Sequence, residues 1–186
     1  MSFVSRWAAL AGGLVLAASA QAAPVAYQGV LTSGSLAGSV AADSGPWGDA
    51  AGWSFWQFTA PFMAQVTITV TPSDASFDPV IAAFYGTESD SSGYLDLRTG
   101  TQSVHVALAD GATEWSPGGP GEAATLRFDN VYGSGTFVLA IADHADGLGQ
   151  GALGYTITAA VPEPGTYALM AGGLALLAAA ARRRRA

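Results

Sequence analysis

Alternation with a period of two runs through the middle of this chain. In Gln65-Val66-Thr67-Ile68-Thr69-Val70-Thr71 the three aliphatic residues point one way and the three threonines the other, which describes a strand with one buried face. Pro61 precedes it and Pro72 ends it. Val80 to Tyr85 is a continuous apolar run and predicts a strand buried on both faces. Val104, Val106 and Leu108 are expected to share a face, as are Leu126 and Phe128, then Phe137, Leu139 and Ile141, then Tyr155 and Ile157. Trp53 to Phe58 is aromatic on both faces, and Trp56 and Phe58 are assigned inward; Val25 to Leu31 adds an edge strand. No amphipathic helix precedes Thr166, and no fixed-period repeat suggests a solenoid or propeller. About seven or eight short strands, punctuated by Gly, Pro, Asp and Ser, predict an all-β fold. Residues 23–160 are expected to form an antiparallel β-sandwich, since two packed sheets bury such one-sided strands.

The two ends are written differently. At the N-terminus Arg6 opens a positive region, Ala8 to Ala18 is apolar, and Ala20-Gln21-Ala22 is a small-x-small cleavage site. Residues 1–22 therefore predict a signal peptide, with the mature chain starting at Ala23; Ala18-Ser19-Ala20 also fits a cleavage site. At the C-terminus, Thr166 to Ala181 holds 16 residues and no charge. As a helix it spans about 24 Å, somewhat short of a hydrocarbon core of about 30 Å, and the long stems of Arg182, Arg183, Arg184 and Arg185 make up the difference by snorkelling. Four arginines at that end favour the cytoplasmic side, which puts the rest of the chain outside the inner membrane. Pro162 and Pro164 favour an extended approach to the membrane.

Val161, Pro162, Glu163 and Pro164, then the uncharged run, then the arginine stop, resemble the PEP-CTERM sorting signal of Gram-negative bacteria. That resemblance implies an exosortase-type processing enzyme as partner, transient anchoring in the inner membrane, and delivery to the cell surface or extracellular matrix. It also points to exopolysaccharide as an associate. Within the middle portion, Trp56-Gln57-Phe58-Thr59-Ala60, Val66-Thr67-Ile68, Ser76-Phe77-Asp78-Pro79-Val80-Ile81, Gly135-Thr136-Phe137-Val138-Leu139 and Gly154-Tyr155-Thr156-Ile157 are similar to the bacterial pre-peptidase C-terminal domain family. This resemblance covers roughly residues 48–159 and implies a small β-sandwich in an extracytoplasmic setting, with no catalytic residue. The family often places an acid two positions before the first aromatic, where this chain has Ser54.

Charge and composition narrow the chemistry. Residues 23–160 carry Arg98 and Arg127 against thirteen carboxylates, a formal charge of −11, and the chain has no lysine. Such a surface repels phosphate backbones and argues against nucleic acid as a partner. The absence of cysteine removes disulfides, thiolate catalysis and thiolate zinc sites.

Candidate sites are few. His105 is expected to face solvent opposite the valines of its strand, and His144 lies in the polar loop Asp143-His144-Ala145-Asp146-Gly147. A histidine beside carboxylates can orient a base or hold a metal, but no nucleophile elbow and no second spaced histidine accompanies it. Glu114 with Glu122, and Asp74 with Asp78, are the carboxylate pairs a glycosidase would need across a cleft. Calcium is the cofactor that Asp143 and Asp146, with Asp43 and Asp49, suit, although none matches the EF-hand spacing. Trp47 or Trp53, if exposed, would stack on sugar rings. The expected function is a non-catalytic surface or matrix protein; a small secreted hydrolase using His144 and an accessory domain for secretion or folding are the alternatives.

Overall fold

The computed structural model describes residues 24–47, 50–94, 97–112, 116–144, 147–160, 172–174 and 176–177. The expected signal peptide with Ala20 and Ala22, the sorting residues Val161 to Pro164, Arg182 to Arg185, and Asp146 lie outside these. Nine strands run in order: β1 Tyr27–Val30, β2 Gly34–Ala41, β3 Ser54–Ala60, β4 Gln65–Pro72, β5 Pro79–Tyr85, β6 Val104–Asp110, β7 Ala124–Asp129, β8 Gly135–Asp143 and β9 Ala152–Ala160. They form a five-stranded sheet in the order β1-β3-β8-β5-β6 and a four-stranded sheet in the order β2-β9-β4-β7. The expected β-sandwich is the fold.

The inner core follows the alternation. Val66, Ile68 and Val70 of β4 are fully buried against Trp56, Phe58, Ile81, Phe137, Leu139, Ile141, Tyr155 and Ile157. Phe58 stacks on Phe137 with ring centroids 5.2 Å apart. A buried polar bridge crosses between the sheets. The Tyr155 hydroxyl on β9 pairs with the Ser54 hydroxyl and accepts the Trp56 Nε1 proton at 2.9 Å, both from β3. Ser54 thus serves as a buried partner for Tyr155. Burial pushes the Tyr155 phenol up despite these two bonds, so it stays neutral. Gly38 on β2 lies opposite, and a Cβ there would fall 2.6 Å from the Tyr155 hydroxyl oxygen.

The two outer faces differ. On the four-stranded sheet the threonines of β4 face outward, and Thr69 pairs with Thr125 of β7 at 3.0 Å. The outer face of the five-stranded sheet is instead a second core, in which Phe55, Val80, Ala82, Phe84, Val138, Ala140 and Ala142 pack beneath Trp53, Tyr94 and Leu97. Tyr94 and Leu97 come from the long connection between β5 and β6, which crosses this face and is pinned near Pro46, where the Leu97 N–H donates at 2.9 Å. Two-sided burial explains why β5 and β8 are apolar at nearly every position.

Glu88 holds that connection. It is 6% exposed and its carboxylate accepts the backbone N–H groups of Thr101, Gln102 and Ser103 at 2.7–2.9 Å and the hydroxyls of Thr101 and Ser103. The Glu88 N–H in turn donates to the Tyr94 hydroxyl at 3.2 Å. Burial raises the Glu88 carboxyl, but the hydrogen bonds from Ser103, Gln102 and Thr101 outweigh it and leave the group below its ordinary value.

Four local expectations change. β2 is a strand absent from the sequence reading: its Gly- and Ser-rich run offers few apolar markers, yet it pairs with β9 along eight residues. β1 runs parallel to β3, because the chain passes through β2 in the other sheet before returning. A bulge opposite Ala83 and Phe84 breaks the alternation of β6, so Val106 packs on the inner core, Leu108 on the outer one, and Val104 is exposed. His105 does lie opposite Val106, but that face is the covered outer one: its ring meets Phe84 edge-on, 5.6 Å between centroids, and is half-buried instead of lying in solvent.

Because Glu88 is depressed in the folded protein, its stabilising effect is fully present above the ordinary value of 4.5 and is lost as the pH falls through the lower folded value. Glu88→Gln should cost about 1–3 kcal/mol at neutral pH by leaving buried donors poorly matched. Urea melts at neutral pH and below 4.5 should show a smaller acid loss in Glu88→Gln than in the wild type. Asp74, lowered by its bonds from the Ser76 N–H and hydroxyl, titrates in both proteins and cancels in that difference.

Candidate functional site

The register fixes which loops share an end. Ala60 lies opposite Gly135, Gln65 opposite Asp129, Tyr85 opposite Phe137, and Ala160, the last residue of β9, opposite Thr67. The chain therefore leaves the sandwich beside the β3–β4 and β7–β8 loops. The β2–β3, β4–β5, β6–β7 and β8–β9 loops gather at the opposite end, which holds Asp43, Asp74, Asp78, Asp143 and His144.

Asp143, the candidate calcium ligand, is fully buried there as the last residue of β8. One carboxylate oxygen accepts the Asp43 N–H at 2.8 Å and the other the Asp78 N–H at 2.9 Å. Its own N–H donates to the Ser44 hydroxyl at 2.9 Å, and its carbonyl accepts the Gly45 N–H at 2.8 Å. Asp43, in a left-handed conformation at φ 51°, accepts the Gly147 N–H at 2.8 Å. Asp143 thus ties three loops together through backbone donors. Among the described residues, no group of three or more His, Asp or Glu side chains gathers as a cation site. A strand-end acid after an apolar run is the sequence signal of such a clamp, but its partners lie 65 and 100 residues away.

The candidate catalytic pair is partly assembled. His144 Nδ1 lies 3.5 Å from the Asp78 carboxylate, with the His144 ring half in solvent and Asp78 buried. This is a base and an orienting acid; among the described residues, no nucleophilic side chain hydrogen-bonds the His144 ring. Asp74 stays exposed and caps Ser76 through its N–H and hydroxyl. Glu114 lies outside the described residues. A cavity of about 300 Å³ opens between the start of β1 and Ala50 to Phe55, and Ser91 is its polar side chain.

The aromatic candidates separate. Trp53 is buried, and its Nε1 donates to the carbonyls of Ser44 and Gly45, so it cannot present a face to a sugar. Trp47 is 50% exposed, with the Arg98 guanidinium 4.5 Å from its ring centroid.

Asp143→Asn places an amide NH₂ against backbone donors. The expected loss is about 1–3 kcal/mol, read as a lower melting temperature of equal size with calcium and with chelator. A melting temperature raised by calcium but not by magnesium in the wild type, and by neither in Asp143→Asn, would contradict this assignment and make Asp143 a cation ligand.

Residues 160–185 match the PEP-CTERM protein-sorting motif. The comparison with curated proteins gives no match. Among solved structures, the chain is similar to CorA, a surface-associated copper-binding protein important in copper acquisition by Methylomicrobium album BG8. The identity is 13%, the TM-score 0.47, and the match covers 74% of this chain and 99% of that one. It is also similar to the pre-peptidase C-terminal domain of collagenase from Bacillus anthracis, at 9% identity and a TM-score of 0.43, covering 73% of this chain and 98% of that one. The motif that begins where β9 ends is that of an exported protein, held transiently in the membrane by its tail and passed to an exosortase-type enzyme.

Proposed function

We propose that the protein is a non-catalytic component of the cell surface or extracellular matrix, associated with exopolysaccharide and delivered there through its tail. The match of residues 160–185 to the sorting motif carries this reading. In it, residues 1–22 direct export and are removed after Ala22 or Ala20. The uncharged run 166–181 then lodges in the inner membrane, with Arg182 to Arg185 as the cytoplasmic stop. The processing enzyme reads Pro162-Glu163-Pro164 and releases the sandwich. Trp47 is the residue best suited to a sugar ring, since half its surface is open and Arg98 beside it adds a hydrogen-bond donor. The acidic surface suits a neutral or cationic polysaccharide better than an anionic one. The hydrolase alternative keeps one supporting observation, the contact between His144 and Asp78.

Fractionation of the producing cell tests the reading. The protein should be recovered from the polysaccharide fraction with a C-terminus between Val161 and Gly165 by mass spectrometry. Trp47→Ala should lower retention in that fraction several-fold and leave processing unchanged. Released protein that still carries Arg182 to Arg185 would contradict sorting, and an ester, peptide or glycoside activity lost in His144→Ala would favour the hydrolase.

A further inference from the structure

The end of the sandwich where the chain departs for its tail is unusual in its surface. Phe62 and Met63 in the β3–β4 loop are 59% and 68% exposed, and Val131 and Tyr132 in the β7–β8 loop are 61% and 37% exposed. Val30 and Val104 flank them at the same end, while Trp47 and Leu148 lie at the other. Scattered exposed apolar residues need no explanation, but four large ones on two adjoining loops do.

These loops are held rigidly. Asn130 is fully buried, and its side-chain N–H groups donate to the carbonyls of Ala60, Pro61 and Gly133 at 2.8–3.0 Å, while its side-chain oxygen accepts the Tyr132 N–H at 2.9 Å. Two backbone bonds, from the Met63 N–H to the Asn130 carbonyl and from the Asn130 N–H to the Ala64 carbonyl, join the same loops. Tyr132 stacks on Tyr85 at 5.2 Å. Met63 sits at φ 63°, a left-handed conformation that a side chain of this kind rarely adopts, and the clasp holds it there with the side chain in solvent.

We propose that this end, carrying Phe62, Met63, Val131 and Tyr132, seats on the lipid surface while the tail anchors the protein. Three observations choose lipid as the occupant. The tether is short: from Ala160 to Thr166 there are six peptide steps, a reach of about 20 Å at most, so this end of the sandwich faces the bilayer whenever the tail is in it. The loops themselves, residues 31–33, 61–64 and 130–134, carry no charge, so nothing in them resists the headgroup region. The carboxylates of Asp43, Asp74, Asp78, Asp110, Glu122 and Asp143 lie at or beside the opposite end; at the apolar end Asp129 borders the β7–β8 loop and Glu88 is turned inward onto Thr101 and Ser103. A tyrosine beside aliphatic and phenyl groups is a composition that lipid interfaces accept. The proposal rests on the tail being a membrane anchor. Seating the domain fixes its height and presents the segment after Ala160 to a membrane-embedded enzyme in one orientation, and loss of the tail leaves a contact too small to retain the product.

The chain has no cysteine, so single-cysteine variants of the full-length protein give unambiguous labels. Met63→Cys, Val131→Cys and, at the far end, Leu148→Cys would each carry a nitrobenzoxadiazole label in phosphatidylcholine vesicles, a composition without net charge. Flotation with the vesicles reports the anchor separately. The expected result is several-fold stronger quenching by acyl-chain nitroxides at positions 63 and 131 than at 148. Phe62→Ser with Tyr132→Ser should bring the label at 131 down to the level at 148 without changing flotation. Equal quenching at all three positions in protein that floats overturns the proposal alone. Quenching at 63 and 131 that appears only when the processing enzyme shares the vesicle overturns it in favour of a protein contact. Protein that does not float overturns the anchor as well.

Discussion

The five-stranded sheet must be covered on both faces, and most of the molecule's architecture follows from that constraint. Its inner face packs on the four-stranded sheet. Its outer face is as apolar, because β5 and β8 carry hydrophobic residues at successive positions. A face of this kind left in water would forfeit roughly 25 cal/mol for each Å² of apolar area and would invite aggregation. The β5–β6 connection supplies the cover with Tyr94 and Leu97, and Trp53 closes the rest. A loop is a poor cover unless its backbone is satisfied, and Glu88 does that by accepting three consecutive N–H groups. A buried carboxylate is tolerable here because three backbone N–H groups and two hydroxyls donate to it.

The same sandwich has two unlike ends. Asp143 ties the acidic loops together at one end, and Asn130 clasps two apolar loops at the other. Both are fully buried polar side chains bonded to backbone groups, and each fixes loops that would otherwise be mobile. The direction of β9 assigns the ends their surroundings. Its last residue opens into the sorting motif beside the apolar loops, so under the proposed lipid contact anchoring would orient the domain without any added element. The proposed seating would leave the acidic end, with Trp47 and Arg98 near it, facing outward.

What the sequence revealed depended on range. Val66, Ile68 and Val70 declare their buried face by alternation, and Val80 to Tyr85 declares two buried faces by having no polar position. The sorting tail is legible for the same reason: motif, apolar run and arginines are contiguous. β2 escaped because its glycines and serines carry little hydrophobic signal, and Gly38 is there to make room for a tyrosine 117 positions further on. The bulge in β6 inserts one residue and moves Leu108 to the face opposite Val106, a shift that periodicity cannot foresee. Trp53 looked available for sugar because an aromatic in a Gly-rich stretch is ambiguous until its N–H partner is known. Glu88, Asn130 and Asp143 follow no pattern in the sequence; their meaning lies in donors and acceptors that only the folded backbone brings to them, for Asp143 from loops 65 and 100 residues away.

The central claim is a rigid domain with one membrane-facing end and one free end, and hydrogen exchange on the vesicle-anchored chain against the released chain measures it most directly. Protection in β3, β4, β5, β8 and β9 should be the same in both forms, since these strands are paired and packed without help from the tail. Amides of residues 61–64 and 130–134 should be more protected in the anchored form, and those of residues 42–47 unchanged. Equal protection of the two loops in both forms, or a difference concentrated at residues 42–47 or in the core strands, would contradict the account.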